Sequence, residues 1–293
     1  MASYVKMLKD KLNVPKWLPD NTMFEGITGS YAYGMSDDLS DVDVIGFCIP
    51  PKEIIFPHLA GEILGFGTQI NRFDIYQEHH IEYKEKIYDF SIYSIVKYFN
   101  LAMQNNPNIL EMLYLPNHCI LHYTPIYSHL RYNRKLFLHK GAFHKHIGYC
   151  LSQLNKITKK RNSSNEKRAA LIEQFSYDTK FAAHAVRLML QCEQILTTGE
   201  IILDRDAELL KAIRNGEWEL DRVKEWVNTK ERDMTEIYNT STVIPYKPNE
   251  SSIKRLLIEC LEMHYDSISN EVKIAPEVSA ILNDIQGIID KYT

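Results

Sequence analysis

The spacing of apolar and polar residues changes character partway along this chain. Met23 to Gly29 is a short apolar run ending at glycine, and Val42 to Ile49 is rich in β-branched residues until Pro50-Pro51 closes it. Both runs predict strands. Ahead of them, Val5, Leu8 and Leu12 fall at helical spacing within residues 2–13, and Pro15 and Pro19 stop the pattern. Tyr31 to Met35 offers a helix start directly after Gly29-Ser30. Residues 52–80 hold Gly61, Gly65, Gly67, Asn71 and the pair His79-His80 without a sustained period, which predicts a long excursion with one hairpin. Ile81 to Ser91 alternates, so Ile87, Asp89 and Ser91 share one strand face. From Ile92 the period becomes helical through Ile95, Val96, Phe99 and Met103. Asn106-Pro107 then restarts a helix, with asparagine at the N-cap and proline in the first turn, running through Glu111 to about Tyr114.

Beyond about residue 125 strand patterns become scarce. Helical spacing predicts helices over roughly 126–138, 142–160, 166–198, 204–215, 219–238, 250–268 and 275–291, and Gly199 is placed to close the longest. The polar, basic tract Lys156 to Asn165 reads as an exposed loop between two of them. No repeat, heptad array or low-complexity segment interrupts the chain. The expected fold class is α+β, with an α/β unit over 1–125 and a helical domain over 126–293 that completes a shared cleft.

Composition narrows the picture modestly. The chain has 293 residues, 45% hydrophobic and 25% charged, enough for two domains with a sizeable core. Its net charge of −4 supplies no chain-wide positive field, so any nucleic-acid contact is a local patch. Cys48, Cys119, Cys150, Cys192 and Cys260 are dispersed without a C-x-x-C pair, which predicts reduced, buried thiols. The N-terminal residues lack a signal-peptide pattern and no run approaches the apolar length of a membrane span. The expectation is a cytoplasmic protein with no membrane partner.

The candidate chemistry lies in Thr28-Gly29-Ser30-Tyr31-Ala32-Tyr33-Gly34 and in Asp41-Val42-Asp43-Val44. A glycine turn lets backbone approach a phosphate without a Cβ, and a hydroxyl beside it adds a donor. Asp41 and Asp43 are two apart in a strand-like run, so they project from one face about 7 Å apart while Val42 and Val44 face the core. Nucleotidyl transfer needs a held triphosphate and carboxylates for two divalent ions, and this stretch provides both. Far downstream, Lys180, His184 and Arg187 fall at i, i+4 and i+7 and form one polar stripe on an otherwise apolar helix. On composition alone such a stripe is a solvated face. His139, His144 and His146, and His118 with His122, lack the acid or cysteine set of a zinc site. Tyr31 and Tyr33 read as half-buried packing or as platforms for a base.

Gly-Ser followed by Asp-x-Asp at the start of a strand resembles the signature of the DNA polymerase β-like nucleotidyltransferase superfamily. The resemblance is closer to a bacterial and phage group of predicted nucleotidyltransferases, some of which accompany RNA ligases in RNA-repair gene sets. Tyr88-Asp89-Phe90-Ser91-Ile92-Tyr93, Asn106-Pro107-Asn108-Ile109-Leu110-Glu111 and Lys180 through Leu188 extend it over about residues 24 to 200. Ile45 departs from the pattern, since relatives often carry arginine there. The resemblance implies a small mixed sheet of the polymerase β palm kind, followed by helices. It implies two Mg²⁺ ions, with Mn²⁺ as the alternative, on Asp41, Asp43 and a third carboxylate. Asp89 fits that third place best, ahead of Asp74 and Glu78. Gly29 and Ser30 would hold the β- and γ-phosphates of an NTP, and Lys180, His184 and Arg187 would add positive charge to the nucleotide site. Asp178 reads as a neighbour only, and Asn108 and Glu111 as helix-start residues. The implied reaction transfers a nucleoside monophosphate to an RNA or tRNA hydroxyl with release of pyrophosphate. The basic tract Lys156, Lys159, Lys160, Arg161, Lys167, Arg168 is placed to track such a backbone. Nucleotidylation of a protein or small molecule, and a catalytically silent nucleotide-binding protein, are the alternatives.

Overall fold

The computed structural model describes residues 3–36, 41–63, 65, 67, 72–159 and 166–265. Among the described residues five strands form one mixed sheet: β1 (Thr22–Ile27), β2 (Val42–Cys48), β3 (Ile75–Tyr83), β4 (Lys86–Ser94) and β5 (Ile120–Tyr123), in the order β3-β4-β2-β1-β5. β1 runs antiparallel to both β2 and β5, β3 is antiparallel to β4, and β2 and β4 are parallel.

Alternation along β2 separates two faces. Val42 and Val44 join Tyr88, Phe90 and Ile92 of β4 in a core closed from outside by Val5, Leu8, Leu12 and Leu18 of the N-terminal segment, which contains α1 (Tyr4–Met7). Ile45 and Phe47 point the other way, into a core that continues without interruption through the helices to Cys260 and Leu261. The residues that alternate with Val42 and Val44 thus face the helical half.

The helices that follow the first strands are short: α2 (Lys52–Ile55), α3 (Ile95–Met103) and α4 (Pro107–Leu110). Then come α5 (Pro125–Tyr132), α6 (Gly141–Lys159), α7 (Glu166–Phe175), α8 (Thr179–Thr198), α9 (Ala207–Arg214), α10 (Leu220–Thr240) and α11 (Glu250–Tyr265). α8 is the central one, buried along most of its length and packed against α6, α9 and α10. α11 returns to the sheet half, packing on α3 and α5. There Tyr265 Oη donates to Pro50 O, and His264 bonds Asn21 Oδ1 at 3.1 Å.

Several boundaries differ from those expected. No helix follows Gly29: residues 29–34 are a hydrogen-bonded turn, with Tyr33 N–H on Gly29 O (3.4 Å) and Met35 N–H on Ser30 O (2.8 Å). The alternating run from Ile81 is not one strand, because a two-residue turn at Lys84-Glu85 folds it into the β3–β4 hairpin. β4 also continues to Ser94, whose side chain then caps α3 through Lys97 N–H. Among the described N-terminal residues only Tyr4–Met7 is α-helical. The helix expected over 166–198 is two helices, broken where Ser176 takes φ +67 and Asp178 caps α8. The helix expected over 275–291 lies outside the described residues, as do Lys160 and Arg161 of the basic tract and the side chains of Lys159, Lys167 and Arg168.

Asp178 is thus more than a neighbour of the polar stripe. It accepts from the N–H groups of Lys180 (3.0 Å) and Phe181 (3.1 Å), which α8 cannot satisfy internally. Asp178→Ala is expected to lower unfolding stability by about 1–2 kcal/mol, read as a shifted urea midpoint with an unchanged slope.

Candidate active site

Parallel pairing brings the first two carboxylates together. Asp43 on β2 and Asp89 on β4 are direct partners in the ladder, as are Val44 with Phe90 and Ile45 with Ser91. Neighbouring strands lie about 4.8 Å apart, so the two acids stand side by side on the face toward the helices. Asp41 immediately precedes β2 and is electrostatically coupled to Asp43.

The glycine turn closes over the same point. Thr28 N–H donates to Asp43 O at 2.9 Å, tying the turn to β2. Gly29 has φ +66 and lies so near Asp43 that a Cβ on it would collide with Asp43 Oδ2. Glycine is needed there twice, for the left-handed backbone and for the close approach. Gly29→Ala is expected to displace the Asp43 carboxylate and reduce turnover about a hundredfold. The backbone adds about 1–2 kcal/mol of destabilisation. Parallel turnover and thermal-unfolding measurements check both effects.

Asp43 keeps solvent contact at the mouth of the site, yet its pKa is raised. Withdrawal of water by the surrounding protein is the largest cause; the charges of Asp89 and Asp41 add to it, while Lys180 and His79 oppose it. Lys180, exposed in the first turn of α8, is therefore the cation that the helical half brings to the acids. Asp89 Oδ1 accepts from His80 N–H at 2.8 Å and has His79 Nδ1 at 3.6 Å. That contact depends on a bulge: the β3–β4 register shifts between Glu78 and Ile81, and His80 takes φ +61. His79 is the neighbour that sequence reasoning missed, since only the histidine pair itself was visible. The two competing acids are engaged elsewhere. Asp74 pairs with Lys97 at 3.1 Å, and Glu78 accepts from Asn13 N–H at 2.9 Å and from Tyr76 Oη.

The rest of the α8 stripe does not share the character of Lys180. His184 packs edge-on against Tyr149, with ring centroids 5.1 Å apart. Burial, together with the charges of Arg187, Lys156 and Lys180, pushes its pKa down to about 3. It is neutral at pH 7 and supplies no positive charge. Arg187 is buried, with its guanidinium donating to Glu111 Oε1 and to Tyr33 Oη. Glu111, expected to serve a helix start, is the buried partner of that ion pair, whereas Asn108 is exposed. Tyr33 is buried and is no platform for a base.

Hard oxygen donors fit a divalent cation by chemistry, and the repulsion raising the Asp43 pKa is of the sign such an ion relieves. Among the described residues, no three His, Cys, Asp or Glu side chains converge as a formed metal centre. Two surface cavities lie away from the acids: one of about 500 Å³ beside Ser3, Thr22 and His122, and one of about 330 Å³ beside Arg131, Arg134 and Glu200. No described helix is long and apolar enough to cross a membrane.

No curated protein sequence matches the chain. Among solved structures it is similar to a nucleotidyltransferase-like protein from Exiguobacterium sibiricum 255-15, at 10% identity and a TM-score of 0.28, over 84% of this chain and 76% of that one. The model of the RNA repair pathway DNA polymerase beta family, RlaP, matches residues 6–261, which is most of the chain. The chain therefore belongs to the RNA repair pathway DNA polymerase beta family, a family of nucleotidyltransferases.

Proposed function

We propose that this protein transfers a nucleoside monophosphate from an NTP to a hydroxyl of RNA, at the cluster formed by Asp41, Asp43, Asp89, Gly29, Ser30 and Lys180. The observation that carries the reading is the pairing of Asp43 with Asp89 across the ladder, under a glycine turn and opposite a lysine. Mg²⁺, or Mn²⁺ in its place, held by Asp41, Asp43 and Asp89 as two ions, would supply Lewis-acid stabilisation of the phosphoryl oxygens. Gly29 admits the triphosphate close to the backbone, and Ser30 offers a hydroxyl to its β- or γ-phosphate. Lys180 offsets charge that grows on the leaving pyrophosphate. His184, neutral and packed against Tyr149, adds no charge at this site. Arg187 belongs to the same site at one remove. Asp89, with Oδ1 held by the His80 amide, takes the acceptor proton on its other oxygen. The acceptor oxygen bonds to the α-phosphorus as the bond to the β-phosphate oxygen breaks, giving a phosphodiester and pyrophosphate. The RNA acceptor is supported by the description of the family.

The test is incubation of the purified protein with each α-labelled NTP and a mixture of RNA, DNA and protein, with Mg²⁺, with Mn²⁺ or with EDTA. Label is expected on RNA, with pyrophosphate released in equal amount, and EDTA is expected to abolish it. Label surviving EDTA would rule out the metal. Label on protein would replace the acceptor, and NTP binding without any labelling would make this a nucleotide-binding protein.

A further inference from the structure

Arg187 is the most deeply buried member of the α8 stripe at 6% exposure, and its partner Glu111 is 2% exposed. The guanidinium lies over the Tyr33 ring, 4.2 Å from its centre, while donating to the Tyr33 hydroxyl and to Glu111 Oε1. Gln191, one helical turn further along α8, donates to the same Oε1 at 2.8 Å, and Tyr33 Oη donates to Oε2. Both carboxylate oxygens are thereby engaged. One positive and one negative charge cancel in a space closed to solvent, so no net charge is presented to a triphosphate. A fixed ion pair of this kind orients its elements, and the planar guanidinium with its ring contact makes the orientation specific.

Three elements meet there. Tyr33 belongs to the glycine turn whose Gly29 abuts Asp43; Glu111 follows α4; Arg187 lies seven residues beyond Lys180, about 10.5 Å along the same helix. The turn is also backed on its far side, where a Cβ at Gly34 would stand 3.3 Å from Ala207 Cβ and 3.7 Å from Asp204 Cβ. We infer that Tyr33, Glu111 and Arg187 are positioning residues, which lock the glycine turn to α8 and thereby set the distance between Asp43 and Lys180. What is being positioned rests on the nucleotidyl-transfer reading above. The interlock replaces a direct phosphate-binding role for Arg187.

The test compares wild type with Tyr33→Phe, Glu111→Gln, Arg187→Met and the double variant Glu111→Leu/Arg187→Met. Readouts are turnover, equilibrium binding of NTP analogues with an imido link between the α- and β-phosphorus, and amide hydrogen exchange of residues 29–35 without nucleotide. Glu111→Gln and Arg187→Met are expected to lower turnover about a hundredfold, the scale of a misplaced reacting group, with analogue binding changed less than about threefold. Tyr33→Phe and Glu111→Gln are expected to speed exchange in the turn. The double variant, which replaces the pair by apolar groups, is expected to turn over at least about tenfold faster than Arg187→Met alone. Tenfold weaker analogue binding whenever Arg187 is lost, whatever stands at 111, would make Arg187 a phosphate ligand and overturn the inference. Unchanged exchange in Glu111→Gln would overturn it as well. If wild type neither binds the analogues nor transfers label, the nucleotidyl-transfer reading fails, and the exchange measurement alone decides the interlock.

Discussion

Asp43→Asn is expected to reduce nucleotidyl transfer by at least about a thousandfold while raising the unfolding temperature at neutral pH. Loss of one carboxylate from a metal-assisted phosphoryl transfer removes several kcal/mol of transition-state stabilisation, and about 4 kcal/mol corresponds to that factor. The gain in stability follows from the raised pKa of Asp43. An acid whose folded pKa exceeds its unfolded value stabilises the fold least when ionised. Its contribution is complete below the unfolded pKa and is lost as pH rises through the folded one. Asparagine removes the repulsion with Asp41 and Asp89, so the difference from wild type is widest near pH 7 and closes in acid. Unfolding curves at pH 7 and pH 4, beside a transfer assay, check both parts. A variant that is inactive and less stable at pH 7 would show that Asp43 is there for the fold. Conflict between stability and use at one residue is common where like charges are gathered for chemistry.

Lowering the pH from 7 to 5 is expected to cost about 3 kcal/mol of folding stability through two histidines. His146 is buried, with Nδ1 bonded to Ala142 O at 2.8 Å; burial, with the nearby charge of Arg187, depresses its pKa to about 4. His184 is held down to about 3. Both stay neutral in the folded chain at pH 5, while in the unfolded chain a histidine takes up its proton near pH 6.5. Stability is therefore present above the unfolded pKa and falls as pH drops toward the folded values. The slope is about 1.4 kcal/mol per pH unit for each fully buried ring, and less for His184, which retains some exposure. Urea midpoints between pH 7.5 and 4.5 measure the slope. His146→Asn is expected to flatten it, and an unchanged slope would mean that the ring is hydrated.

The parts of the site that sequence made legible are those with local signatures. Gly29, with positive φ against a strand, and the alternation of Asp41 and Asp43 with Val42 and Val44 follow from elementary sterics and the period of a strand. Asp89 was recognisable as an acid on an alternating run, but its register against Asp43 was not, because parallel pairing is set by a crossover that no local pattern encodes. The β3–β4 hairpin stayed hidden for a specific reason. Its turn places Lys84 at φ +49 and Glu85 at φ +63, a conformation usually marked by glycine or asparagine. Ser176 at φ +67 hid the break between α7 and α8 in the same way. Spacing correctly put Lys180, His184 and Arg187 on one helix. It could not show that they meet three different surroundings: the acids, an aromatic ring and a buried carboxylate. Charge in a sequence is formal, whereas charge at a site depends on burial and partners.

The return of α11 to the sheet half bears on how the chain is made. The first turn and strands of the site leave the ribosome early, but α3 and α5 stay uncovered until residues 250–265 arrive to pack on them and Tyr265 reaches Pro50. At about 5–20 residues per second, the interval between Pro50 and Tyr265 is on the order of 10 to 40 seconds. Within that time the growing chain carries Asp41, Asp43 and Asp89 without the lysine of α8 until residue 180 is made, and without α11 until residue 265 is made. Premature termination anywhere in that interval yields a product with an exposed apolar face rather than a smaller working enzyme, and such products become substrates for chaperones and proteases.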